Sequence, residues 1–364
     1  MTPPTKALHD AGQSLWLDNI TRTMLDGGEL ARLIDDLGIT GLTSNPSIFD
    51  KALAEGDAYD VQVRELHEQG LSDEEVLFEV AIADVRRACD LFQPAHLRSA
   101  GFDGWVSLEV SPELAYDTTA TIAQARSLHL RTDRSNLFVK IPGTPEGLPA
   151  IEAAIHAGIP VNVTLLFDRD QYLAAADAYL RGLERRVADG LAPDVCSVAS
   201  LFMSRWDGAV QESAPEALRG RLALAVGGRA YKAYRELLRS DRMLRLMNLG
   251  ARPQRLLWAS TSTKDPTLPD TLYVDGLFAP FTVNTMPDVT LKAVADHGAL
   301  PERSMPHDGV EAEAMLDAYE QAGTDVDALA AELQSKGAEA FVKSWTGLLE
   351  TIASKRAALA GASG

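Results

Sequence analysis

Lys140 is the one charge in the apolar run Leu137-Phe138-Val139-Lys140-Ile141-Pro142, and Gly143-Thr144 turns the chain directly after it. A strand end of this kind sets an ammonium among apolar neighbours, and burial disfavours the charged form of lysine. The free amine attacks ketones and aldehydes and forms a Schiff base. Alone, the segment fits equally a lysine whose head snorkels to water. Other apolar runs also end in polar residues that a structural strand does not require: Asp18-Asn19, Thr43-Ser44-Asn45, Glu109, Asn162 with Thr164, Ser200 followed by Arg205, and Ser260 through Lys264. Each has a plainer use as well. Asp18 can cap a helix, Glu109 can pair with a structural arginine, and Asn45-Pro46 and Ser111-Pro112 can be turn chemistry. Asn162 and Thr164 share one strand face through the two-residue period. A single inward polar pair is often a satisfied core group, whereas seven such positions that converge on one mouth call for a shared site.

Convergence needs elements that aim these residues. Strand candidates are Leu15–Asn19, Gly41–Asn45, Trp105–Val110, Leu137–Ile141, Val161–Phe167, Val195–Phe202 and Leu256–Ser260, with an eighth near Phe278–Val283. Their continuous apolarity suits a parallel sheet covered on both faces. Between them, Ser72-Asp73-Glu74-Glu75 reads as a capping box that opens a helix with Val76, Leu77, Val80, Val85, Ala88, Cys89 and Phe92 on its apolar face. Thr118–Leu130, Leu148–Ala157 (stopped by Gly158) and Gln171–Ala188 read as further helices. Eight strands alternating with helices predict an α/β fold, a (β/α)8 TIM-type barrel. A doubly wound sheet is the competitor, but Asp18-Asn19-Ile20-Thr21 lacks its glycine-rich fingerprint. No composition break marks a second domain, so residues 1–364 form one unit. The acidic, Ala-rich stretch of about 288–357 is a C-terminal helical extension across the barrel, frayed from Ala357 to Gly364.

The 364-residue chain is 46% apolar and carries 34 Lys plus Arg against 52 Asp plus Glu, a net charge of −18. That field argues against nucleic acid and anionic membranes as partners. A few arginines at one cleft still accommodate a small anion. Met1 to Asp10 lacks a signal-peptide pattern, and no apolar stretch is long enough to span a bilayer. Cys89 and Cys196, both in apolar surroundings, read as reduced thiols of a cytoplasmic protein, and the two glycosylation sequons at Asn19 and Asn162 carry no weight without export. The seven histidines show no metal-ligand spacing, and there is no G-x-S-x-G elbow or P-loop. Tyr231-Lys232, with Tyr234 and Arg235, reads as a solvated helix face.

Six segments together resemble the transaldolase family: Ser14–Asn19 (SLWLDN), Gly41–Phe49 (GLTSNPSIF), Ser107–Thr118 (SLEVSPELAYDT), Leu137–Gly147 (LFVKIPGTPEG), Ile159–Phe167 (IPVNVTLLF) and Ser200–Arg205 (SLFMSR). The resemblance runs from about Leu15 to about Pro287. Trp258–Thr261 (WAST) and Val283–Pro287 (VNTMP) are similar to the longer, actinobacterial branch. What it implies is class I aldol transfer on sugar phosphates in the pentose phosphate pathway, with no metal or organic cofactor. By similarity, Lys140 forms the Schiff base and Asp18 takes the proton from the C4 hydroxyl as the C3–C4 bond breaks. Glu109 and Thr164 hold a water that shuttles protons, Asn45 and Asn162 hold hydroxyls of the dihydroxyacetone unit, Arg205 binds phosphate, and Ser200, which precedes it at the family spacing, is a further substrate-binding residue. Where the family commonly has a second arginine behind strand seven, this chain has Ser262-Thr263-Lys264, which makes Lys264 the replacement cation. Two alternatives stay open. The related fructose 6-phosphate aldolases release free dihydroxyacetone but tend to carry tyrosine where this chain has Phe202. A catalytically dead barrel acting as a sugar-phosphate sensor is the other. The sequence does not set the oligomeric state.

Overall fold

In the computed structural model, which describes residues 3–54 and 56–361, eight parallel strands close into a barrel in strict sequence order. They are β1 (Ser14–Asp18), β2 (Gly41–Thr43), β3 (Trp105–Glu109), β4 (Leu137–Pro142), β5 (Val161–Leu166), β6 (Ser197–Phe202), β7 (Arg255–Ala259) and β8 (Val283–Met286). β8 returns to β1 through the pairs Ser14↔Val283 to Leu17↔Met286, so no sheet edge is left open. The expected (β/α)8 architecture is the one found, with additional helices behind β8.

The first seven strands fall within a residue or two of the apolar runs. The eighth lies further along than Phe278–Val283. Pro280 has no N–H for a ladder, and Phe281 takes a left-handed φ of 67° with its side chain 50% exposed. The true strand carries Asn284 and Thr285, whose polar atoms Thr261 satisfies from β7's end.

Alternate residues of each strand point into the barrel. Trp16, Trp105 and Phe138 therefore meet in the interior, Trp105 stacked on Phe138 at 4.0 Å. Gly41 makes room for this floor, since a Cβ there would lie 2.6 Å from the Trp16 ring. Two residues further along the same faces come Asp18, Thr43, Ser107 and Lys140, so one period sets an aromatic floor beneath a polar layer. In β5 the register against β6 shifts between Val163 and Leu166, and Leu165 takes a φ of 59° beside Thr164.

The capping box forms as expected: Ser72 Oγ accepts from Glu75 N, and Glu75 accepts from Ser72 N. Helices Asp73–Arg98, Thr118–Thr132, Gly147–His156 and Arg169–Ala188 pack around the barrel, the second and fourth capped by Asp117 and Asp168. One expectation fails. Tyr231 and Tyr234 on the Leu222–Leu238 helix are buried, and the Tyr234 hydroxyl donates to the Phe281 carbonyl; only Lys232 and Arg235 reach toward water. The two cysteines are free thiols, Cys89 buried and Cys196 partly so.

Beyond β8 come helices Asp288–His297, Val310–Gln321 and Val326–Gly361. The last crosses from β4 and β5 to the helices that follow β2. Gln334 Nε2 donates to the carbonyls of Gly143 and Leu165, and Thr351 donates to Asp50. Lys355 reaches the carbonyls of Leu53 and Gly56, and Arg356 pairs with Asp73. Contrary to the expected fraying, this helix continues through Ala357 to Gly361; Ala362–Gly364 lie outside the described residues.

Candidate active site

Lys140 sits near the end of β4, 5% exposed, with its stem in the barrel interior. Its surroundings are more polar than its strand neighbours suggest. Nζ donates to the Ser44 carbonyl at 2.9 Å and to Glu109 Oε2 at 3.1 Å. The β3–β4 register sets Glu109 directly beside Lys140, and the β4–β5 register sets Asn162 on its other side. Burial raises the Glu109 pKa, while the Lys140 charge and hydrogen bond oppose that rise and Asp18 adds to it. The Glu109 carboxylate, more basic than an exposed one, thus lies within hydrogen-bond reach of the lysine nitrogen.

Asp18 ends β1 across the barrel. Burial again raises its pKa, against the Lys140 charge and donors from Thr43 and Asn45, with Asp288 adding to the rise. Thr43 Oγ1 donates to Asp18 Oδ1 at 2.8 Å and lies 2.8 Å from Thr285 Oγ1. With Thr43's only proton spent on Asp18, Thr285 must be the donor of the second bond. Asn45 works twice: Oδ1 accepts from Ile48 N at the start of the Pro46–Ala54 helix, and Nδ2 donates to Asp18 at 3.4 Å. Asn45 therefore both starts the turn into that helix and lines the main cavity, whereas the side chains of Pro46 and Ser47 lie outside the described residues.

These groups face a cavity of about 490 Å3 at the C-terminal end of the strands, where barrel enzymes hold their sites. Asp18, Asn45, Lys140, Asn162, Thr164, Ser200, Arg205 and Lys264 all line it. Glu109 does not. It touches Lys140 from behind, in a smaller space walled by Phe49 and Trp345. Asn162 is pinned, accepting from Ser200 Oγ at 2.6 Å and donating to Ser107 Oγ at 3.1 Å. Ser200 thus orients Asn162 as well as lining the cavity. The buried Thr164 hydroxyl has no protein partner among the described residues.

At the other end, Arg205 stands at the start of the Ser204–Val210 helix with no acidic partner among the described residues, its guanidinium 5.4 Å from the Phe202 ring centroid. Burial alone lowers its pKa. Lys264 is exposed on the loop after β7 and reaches the same cavity. Arg205 and Lys264, neither paired with a carboxylate among the described residues, form with Ser204 and Ser260 a locally cationic wall in a chain of net charge −18, an arrangement whose chemistry suits an anion.

A family model described as Transaldolase/Fructose-6-phosphate aldolase matches residues 15–352. The chain belongs to that family. Transaldolase from Thermobifida fusca is 49% identical over 366 residues, covering 98% of this chain and all of the relative. Transaldolase from Parafrankia sp. is 46% identical over 97% of this chain and 98% of its own length. Transaldolase 2 from Streptomyces coelicolor is 42% identical with both chains fully covered. The chain is thus an enzyme, a transferase of the transaldolase family. The matched span opens in β1 before Asp18 and closes inside the Val326–Gly361 helix, so that helix is part of the transaldolase match.

Two features of this transaldolase-family site escape a reading of strand ends. Thr285, which bonds Thr43 behind Asp18, looks like an ordinary strand threonine until the barrel closes β8 on β1. Phe341, about 140 residues beyond the SLFMSR segment, lines the cavity with its ring centroid 5.9 Å from Lys140 Nζ. No local signal marks it, because its helix reads as an Ala-rich amphipathic tail. Among the described residues, no helix is long and apolar enough to cross a membrane.

Proposed function

We propose that the chain transfers a dihydroxyacetone unit from sedoheptulose 7-phosphate or fructose 6-phosphate to an aldose phosphate through a Schiff base on Lys140. The observation that carries the reading is one buried lysine nitrogen facing a cavity, with Glu109 behind it and Asp18 across from it. Glu109 takes the ammonium proton, and the free amine attacks C2 of the ketose. The Thr164 hydroxyl holds a water that carries protons through carbinolamine formation and loss. With the iminium as electron sink, Asp18 removes the C4 hydroxyl proton as the C3–C4 bond breaks. The aldose phosphate leaves, and a three-carbon enamine stays on Lys140. Asn45 and Asn162 hold its hydroxyls. Its nucleophilic carbon then attacks the aldehyde of glyceraldehyde 3-phosphate or erythrose 4-phosphate, and the steps reverse. Arg205, with Lys264 on the same cavity, holds the phosphate, while Ser200 meets the substrate beside Asn162. Like the family it belongs to, the enzyme draws on no metal or organic cofactor. It works as one unit of barrel plus C-terminal helices, in the cytoplasm, with neither nucleic acid nor membrane as partner.

Release of free dihydroxyacetone is the competing outcome, since the family description covers both activities. Phe202 supports transfer: it lines the cavity as a bare phenyl ring that can neither hold a water nor donate a proton. The experiment is turnover of fructose 6-phosphate with and without an added aldose phosphate. Transfer predicts turnover that requires the acceptor. Equal rates without it contradict the reading.

A further inference from the structure

The C-terminal helix supplies two aromatic side chains one turn apart, and each covers one half of the buried pair. Phe341 lines the main cavity beside Lys140 and lies 6.3 Å from the Phe202 ring, which is 5.5 Å from Phe167. Trp345, four residues on and on the same helix face, is buried, packs 5.4 Å from Phe78, and walls the small space at Glu109. The helix is seated closely where it passes the site. A Cβ at Gly337 would stand 3.2 Å from Leu165 Cδ2 and 3.4 Å from Arg205 Nη1, and Gln334 ties the preceding turn to the ends of β4 and β5.

From this placement we infer that Phe341 is a specificity-determining residue: its ring keeps water from the three-carbon enamine and so decides between transfer and hydrolysis. The inference rests on the Schiff-base reading above. Hydrolysis of that intermediate needs only water. The enamine carbon takes a proton from water, giving the iminium. The hydroxide then adds at C2, the proton of the new C2 hydroxyl passes to nitrogen as the C–N bond breaks, and dihydroxyacetone leaves Lys140 as the free amine. An aldose acceptor competes for the same carbon. An apolar ring in the cavity wall beside the reacting nitrogen lowers the water available for the side reaction.

The test is the ratio of free dihydroxyacetone to transfer product, measured with fructose 6-phosphate and a fixed aldose phosphate. The ratio does not depend on how much of the enzyme is folded, so loss of stability alone cannot move it. Phe341→Ala is expected to raise it about tenfold, with Phe341→Leu closer to the wild type because it keeps apolar bulk. Trapping with borohydride runs alongside on the same samples. If Lys140 is labelled in wild type and variants yet the ratio stays unchanged, the role given to Phe341 is overturned. If wild-type Lys140 is not labelled, the Schiff-base reading fails first. Should Phe341→Ala give no soluble protein, Phe341→Leu and Phe341→Tyr decide: a raised ratio in Phe341→Tyr, whose hydroxyl can hold a water, supports the inference, and wild-type ratios in both overturn it.

Discussion

Lys140 and Glu109 are buried together, and each makes the other's charge tolerable. A buried pair of this kind contributes little net stability compared with a well-packed apolar pair, yet breaking it from one side costs about 3–5 kcal/mol. Lys140→Met leaves Glu109 in a site that already raises its pKa, now without the opposing cation. The folded state of that variant then binds a proton more tightly than the unfolded chain does. Its stability is retained below the unfolded value of about 4.3 and falls as pH rises through the folded value. Adding Glu109→Gln removes the titrating group. Urea unfolding is expected to show a loss in Lys140→Met that grows from pH 4 to pH 7, and a flatter, more stable profile for the double variant. A single variant as stable at pH 7 as at pH 4 contradicts the pairing.

Among the elements, strand existence was legible wherever burial on both faces imposes a continuous apolar run, as in Leu137–Ile141 or Val161–Phe167. The polar residues at the ends of those runs converge as expected, because parallel closure places all eight C-terminal ends on one rim. The misplaced eighth strand marks the limit of that signal: Phe278–Val283 has the apolarity, but Pro280 and the left-handed Phe281 break the ladder. The strand that does form carries Asn284 and Thr285, because Thr261 just after β7 and Thr43 of β2 satisfy them. Such partners are remote in sequence and invisible to a local pattern. Tyr231 and Tyr234 fail for a related reason, since amphipathic aromatic rings bury their faces while a hydroxyl finds a distant carbonyl. The reach of the C-terminal helix is likewise a tertiary fact. Gln334, Gly337 and Phe341 acquire meaning only where the helix meets β4, β5 and Arg205.

Taken as a whole molecule, the barrel separates chemistry from stability along its axis, with the cavity at one end and a structural ion cluster at the other. There Arg255 of β7 donates to Asp103 at 3.1 Å and to Ser14 at 2.8 Å, stacks 4.0 Å from the Phe102 ring centroid, and His9 of the N-terminal helix approaches Asp103 at 3.4 Å. Burial would raise the Asp103 pKa, but Arg255, His9 and Ser14 together hold it at about 2. A depressed carboxylate contributes stability that is present above the unfolded value of about 3.9 and is lost as pH falls through the folded one. Asp103→Asn is therefore expected to lower stability at pH 7 by about 2–3 kcal/mol and to weaken the loss of stability between pH 4 and pH 2, with KM for sugar phosphates unchanged. Denaturant unfolding at several pH values checks the first two points and steady-state kinetics the third. At the opposite end the whole account turns on the nitrogen of Lys140. The most direct measurement is borohydride reduction in the presence of fructose 6-phosphate, followed by peptide mass mapping. The account predicts one stable three-carbon adduct, on Lys140, with activity lost in proportion. An adduct on another lysine, or none in an enzyme that is turning over, would contradict it.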